Sequence, residues 1–189
     1  RNLRAPRTPA ITGGALFPTQ TAAFSLAEHR STGGLQGPDY RTGAAGHADA
    51  LTAGGLLAVF SGVAVVGIAV LLFPLLKPTS EPLALGYVCE RVIELVLQLV
   101  FFLALPLLMI AIGNALRDGT IDASTSHSLG PILKAVHDQA LVVLSPVTCV
   151  GGTTLGVLPY LSNLVPRWIA VLALLGYPMV FVGCALALS

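Results

Sequence analysis

The chain is 189 residues long, 54% apolar and 10% charged, with a formal net charge of +1 and a mean hydropathy of +0.83. Soluble domains carry about 25% charged residues, so ten basic and nine acidic side chains are too few to wet a 19.5 kDa globule. Disordered, collagenous and disulfide-scaffold chains are excluded, and a charge of +1 leaves no basic footprint for nucleic acid. What remains is an integral membrane protein with the lipid bilayer as its main partner.

The hydrocarbon core is about 30 Å thick, so a spanning helix needs about 20 apolar residues. Residues 9–27 are the first and weakest candidate. They are uncharged but diluted by Thr12, Thr19, Gln20, Thr21 and Ser25, and Arg1, Arg4 and Arg7 precede them. A signal peptide needs a compact apolar run, which Pro18 interrupts; a poor first span held by its neighbours is the reading adopted. A loop is expected over 28–50. Then come four charge-free runs: 27 residues between Asp49 and Lys77, 22 between Glu94 and Arg117, 28 between Asp138 and Arg167, and 22 from Trp168 to Ser189. A charge at a helix centre costs about 2.5–3.5 kcal/mol, so these gaps mark spans near 51–76, 84–116, 138–161 and 167–188, with a second loop over 117–137. The fold expected is all-α: one transmembrane domain, a bundle of about five spanning helices kinked near Pro74, Pro106, Pro146, Pro159 and Pro178.

With five spans, the side holding the N-terminus and the short turns has five cations (Arg1, Arg4, Arg7, Lys77, Arg167) against four on the other (Arg30, Arg41, Arg117, Lys134). The positive-inside rule then puts the N-terminus in the cytoplasm. Richness in Ala, Gly, Leu, Pro and Arg points to a bacterial plasma membrane.

Small residues recur at spacing four in Gly54, Ala58 and Gly62, and again in Thr148, Gly152 and Gly156. Such stripes let helix backbones approach closely, either within one bundle or in a homo-oligomer. Glu90, Glu94 and Gln98 share one helix face by the same spacing, and Arg91 can pair with Glu94 three residues on. Two readings of this stripe stay open: an anchor or structural pair at the membrane interface, and a proton or cation path. Arg167 and Trp168 after Pro166 are a candidate interface anchor of the last helix.

His29, His47, His127 and His137 all fall in or beside the two long loops, but none has the spacing of metal ligands. His137-Asp138 has no nucleophile beside it, and the Gly151–Gly156 run lacks the Lys and context of a phosphate loop. Cys89, Cys149 and Cys184 lie one per apolar segment and read as structural, buried residues. No metal, no cofactor and no enzymatic activity are expected.

Three stretches carry a family resemblance. They are Leu83-Ala84-Leu85-Gly86-Tyr87 leading into Glu90-Arg91-Val92-Ile93-Glu94, His137-Asp138 opening a Gly-rich apolar helix, and Val165-Pro166-Arg167-Trp168 running on to Gly176. Together, over about residues 50–185, they resemble domain-of-unknown-function family 4386, bacterial multi-pass membrane proteins. The resemblance implies a bundle of about six helices and carries no activity onto any residue. Two departures stand out: Thr19-Gln20-Thr21 makes the first segment more polar than the family pattern, and the chain runs from Arg1 to Ser189 where the family continues into another helix. A processed or shortened product is therefore expected. The function expected is a non-enzymatic role in interaction, sensing or membrane stress, with a small permease or proton- or ion-coupled carrier using Glu90, Glu94 and Gln98 as the alternative. Partners beyond lipid would be a second copy or another membrane protein.

Overall fold

The computed structural model describes residues 7–35, 46–162 and 166–186. Every regular element among them is helical: α1 (Arg7–Leu35), α2 (Ala48–Leu76), α3 (Glu81–Gln98), a π-helical turn (Leu99–Ala104), α4 (Leu105–Arg117), α5 (Ala123–Asp138), α6 (Ala140–Ser162) and α7 (Arg167–Leu186). The fold is an all-α bundle of the transmembrane type. Four runs are long and apolar enough to cross a membrane, Ala48–Leu76, Glu81–Arg117, Ser128–Ser162 and Arg167–Cys184. α1 is helical through Pro18 but is not among them, because its hydroxyl and amide side chains dilute the apolar run.

The connection expected over 117–137 is itself helical from Ala123. Leu129, Ile132, Leu133 and Val136 recur at spacings of three and one or four, a helix period that charge-free gaps do not register because Lys134 falls inside it. Before α5, α4 closes on a Schellman turn. Gly119 takes φ +68°, while Thr120 N–H donates to the Ala115 carbonyl at 2.9 Å and Gly119 N–H to that of Leu116 at 3.3 Å.

The helices group into two compact units. The first takes the described residues of Gly62–Leu95 and Leu141–Ser189 together with the start of α1; the second takes the described residues of Gln20–Ser61 and Val96–Ala140. In the first unit, Ala69, Leu76, Ala84, Tyr87 and Leu158 form the buried core, with Leu72, Phe73, Val88 and Leu155 against it. α6 meets α7 through glycines, since a Cβ at Gly152 would run into the Tyr177 ring and one at Gly156 would lie 2.9 Å from Leu174. Apolar side chains gain nothing by leaving lipid for one another, so close backbone approach is what holds such helices together.

In the second unit, Leu51, Met109 and Ile110 form the core, flanked by Ala48 and Leu133. A Cβ at Gly54 would lie 2.8 Å from Ser31 Oγ and 3.0 Å from the Ala27 carbonyl, and one at Gly55 would lie 2.7 Å from the Phe102 carbonyl. Ser61 donates to the Gln20 carbonyl at 3.0 Å. The π turn also belongs to this unit, and Pro106 explains it. Pro106 has no N–H, and its ring crowds the carbonyl four residues back, so the helix widens and Leu105 N–H reaches back five residues to Val100. The Phe101 carbonyl is thereby released from Leu105 and cannot be served by Pro106. His137 Nδ1 lies 3.1 Å from it; because a carbonyl only accepts, Nδ1 is the donor. Phe102, at the centre of the turn, makes edge-to-face contacts with Phe24 at 5.3 Å and with His137 at 6.1 Å.

Two outcomes are expected from unfolding in detergent micelles. Gly55→Ala forces the α2 backbone off the Phe102 carbonyl and costs about 1–3 kcal/mol, whereas Gly67→Ala, with nothing within 4 Å of its Cβ, stays within about 0.5 kcal/mol. His137→Ala orphans the Phe101 carbonyl and lowers stability by about 1–3 kcal/mol.

Candidate functional site

The site is built on α3. Glu81 and Pro82 open this helix; a carboxylate suits the positive helix end and a proline in the first turn sacrifices no hydrogen bond. From there Ala84, Tyr87, Arg91 and Glu94 recur at spacings of three and four, and all are buried. Glu90 falls beside Arg91 on the same side. The helix period thus carries three charged side chains into the interior, Glu90 7%, Arg91 5% and Glu94 6% exposed.

Arg91 is the hub. Its Nη1 donates to Glu94 Oε2, its Nε lies 3.2 Å from Glu90 Oε2, and its guanidinium sits 5.1 Å over the Tyr87 ring. Thr148, from α6, donates to Glu94 Oε1 at 3.4 Å, so both oxygens of Glu94 are engaged. Glu90 differs. Its contact with Arg91 Nε is within ion-pair distance but out of line for a hydrogen bond, and no side chain donates to Oε1 or Oε2; the backbone N–H of Gly151 is its other polar neighbour. The backbone of Gly151 lies directly against this carboxylate, and a Cβ there would overlap both of its oxygens. Two carboxylates therefore share one guanidinium in an apolar surround, and only one of them is fully satisfied.

Gln98 is also buried, 2% exposed, but it belongs to the second unit, at the entrance to the π turn. Its Oε1 has no donor, and the contacts of the charged group run through Thr148 and Gly151 instead. Spacing alone therefore groups Gln98 with residues it does not bond. Sequence alone assigns no role to Gly151, which stands in the run that lacks the Lys of a phosphate loop, or to Tyr87 and Tyr177. The signal for Gly151 was present in the Gly151-Gly152 pair within an apolar helix, and that for Tyr87 in its spacing of four from Arg91.

The remaining candidates lie elsewhere. Gly54, Ala58, Gly62, Gly152 and Gly156 are buried, and the neighbours of Gly54, Gly152 and Gly156 belong to this same chain. Trp168 is 65% exposed, and Arg167 lies 5.9 Å from the Tyr160 ring. His29 and His47 are exposed, and the side chain of His127 falls outside the described residues. The expected burial of the cysteines fails at Cys89, which is exposed, while Cys149 and Cys184 are half-buried; Cys89 precedes Glu90, so the turn that buries Glu90 carries its neighbour outward. Among the described residues no three His, Cys, Asp or Glu side chains gather as a metal site would require.

The family described as Domain of unknown function (DUF4386) matches the chain over residues 14–189. The chain belongs to DUF4386. The match takes in most of α1, which the resemblance in the sequence had left out. No curated protein and no solved structure matches it.

Removing one member of a buried ion pair strands the other's charge, at a cost of about 3–5 kcal/mol. Arg91→Gln strands two carboxylates and is expected to lose that much in detergent unfolding. Glu81→Gln, which breaks the exposed 3.0 Å pair with Lys77, is expected to lose no more than about 1 kcal/mol.

Proposed function

We propose that this membrane protein is a small, non-enzymatic proton- or ion-coupled carrier whose working part is the Glu90–Arg91–Glu94 group. One observation carries the reading: within a run long enough to span a bilayer, a carboxylate is buried beside an ion pair and no side chain donates a hydrogen bond to either of its oxygens. An ionisable residue held inside a membrane protein is costly, and such residues mark ion and proton routes. A mere interfacial anchor would keep its head groups in water, so burial at 5–7% exposure speaks against it; a purely structural pair is the other reading of the same group, and the flux measurement separates it from the carrier. A bacterial plasma membrane is the setting the composition supports, and the cation count supports a cytoplasmic N-terminus. α7 offers lipid a broad apolar face, with Leu172 62%, Leu175 61% and Met179 73% exposed; a second copy or another membrane protein is the other partner such a face can take.

Reconstitution into liposomes loaded with a pH-sensitive dye tests the proposal. An imposed proton or cation gradient is expected to drive a flux well above that of empty vesicles, and Glu90→Gln is expected to lower it at least about tenfold, the effect of about 1.4 kcal/mol on the barrier. Flux equal to empty vesicles would remove the carrier and leave an interaction, sensing or membrane-stress role.

A further inference from the structure

We infer that the ion exchanged at this group is a proton, that Glu90 alone carries it, and that Arg91 and Glu94 form the fixed pair that positions it. The inference rests on the proposed function for its importance, but its evidence is local. Glu94 is the satisfied member: one oxygen takes Arg91 Nη1 and the other takes the Thr148 hydroxyl. Glu90 is the less satisfied member: its side chain is nine-tenths buried and 3.2 Å from Arg91 Nε, with no side-chain hydrogen bond to either oxygen.

Space and charge decide between a proton and a metal cation. Sodium or calcium held by protein takes a shell of several oxygens, six to eight for calcium. Here one side of the Glu90 carboxylate is closed by the Gly151 backbone, and the positive Arg91 Nε stands 3.2 Å from Oε2. A second cation would be repelled from that position by Arg91, and the two carboxylates and the Thr148 hydroxyl offer fewer oxygens than such a shell needs. A proton needs neither. The charges facing Glu90 are few. On its own helix they are Tyr87, Arg91 and Glu94; α6 brings only the uncharged Thr148 and Gly151; and α7 brings the phenol of Tyr177, within electrostatic reach of all three charged residues. The exchange balances simply. With both carboxylates ionised the group has charge −1. Uptake of one proton on a Glu90 oxygen brings it to zero while the Arg91–Glu94 pair stays intact, and release restores −1.

Gly151 follows as a positioning residue for this exchange. A methyl there presses on the atoms that take the proton, whereas Gly67 on α2 has nothing within 4 Å of its Cβ.

The test is pH-difference infrared spectroscopy on the full chain in lipid, with ¹³C-labelled glutamate to assign carboxyl bands. The expected result is a high-frequency carboxylic-acid band, typical of an acid group shielded from water, that grows as pH falls. It should persist in Glu94→Gln, vanish in Glu90→Gln, and stay unchanged when sodium or calcium replaces potassium at fixed pH. A band that survives Glu90→Gln, a band displaced by sodium or calcium, or no such band at all would overturn the inference. If Glu90→Gln fails to fold, Gly151→Ala takes its place: the midpoint of the band should shift relative to the parent, with Gly67→Ala as the unshifted control, and an unshifted midpoint in Gly151→Ala overturns the assignment. The two readings fail separately. The expected band in a protein without flux removes the carrier and keeps the proton site, whereas flux with a band displaced by sodium removes the proton and keeps the carrier.

Discussion

An arginine placed inside an apolar helix bundle has to find its counter-charges within the protein. Arg91 finds them on its own helix, at Glu90 beside it and at Glu94 one turn on, and it leans on the Tyr87 ring for the rest of its surface. Desolvating three ions costs several kcal/mol each, and their mutual attraction offsets that only when the geometry is good and the remaining polar atoms are bonded. The pairing within α3 meets the first condition, and Thr148 meets the second for Glu94. The neighbouring helices are arranged around this requirement, because α6 must bring a hydroxyl to one carboxylate and bare backbone to the other.

The second recurring device is the exchange of side-chain volume for closeness. At Gly55, Gly151 and Gly152 the absence of a Cβ lets another group take its place: the Phe102 carbonyl, the Glu90 carboxylate and the Tyr177 ring. In water such contacts would be supplemented by the expulsion of solvent from apolar surface; in lipid they are most of what distinguishes one helix arrangement from another. The exposed apolar side chains that line the outside, such as Leu56, Ile132 and Trp168, serve the opposite purpose and carry little information about neighbours.

Much of the architecture was legible because membrane insertion penalises charge so steeply. The gap between Asp49 and Lys77 announces α2 within a few residues of Ala48–Leu76, and Glu90, Arg91 and Glu94 were visible as one polar patch. Three features were not. α5 carries a charge and sits between polar residues, so a rule based on missing charges passes over it, although its apolar period is present. Gln98 keeps the right spacing, yet it is grouped with the second unit, and its buried Oε1 has no donor. Gly151 could be seen as a small residue but not as the wall against Glu90, because that contact joins positions about sixty residues apart. Local patterns reveal helix faces; which face meets which is set by long-range packing that one sequence does not display.

The π turn has a consequence for the history of the chain. Gln98, Phe102, Pro106 and Ile110 are all buried at a strict spacing of four, whereas an α-helix of 3.6 residues per turn would drift by about 40° at each such step. The wider turn over Leu99–Ala104 absorbs most of that drift, as a helix does when one residue is inserted without disturbing what lies on either side. Relatives that lack proline at the position of Pro106 could discard the extra residue and keep the same buried face. Homologues should therefore fall into two length classes, separated by a single-residue gap between the positions of Gln98 and Leu105.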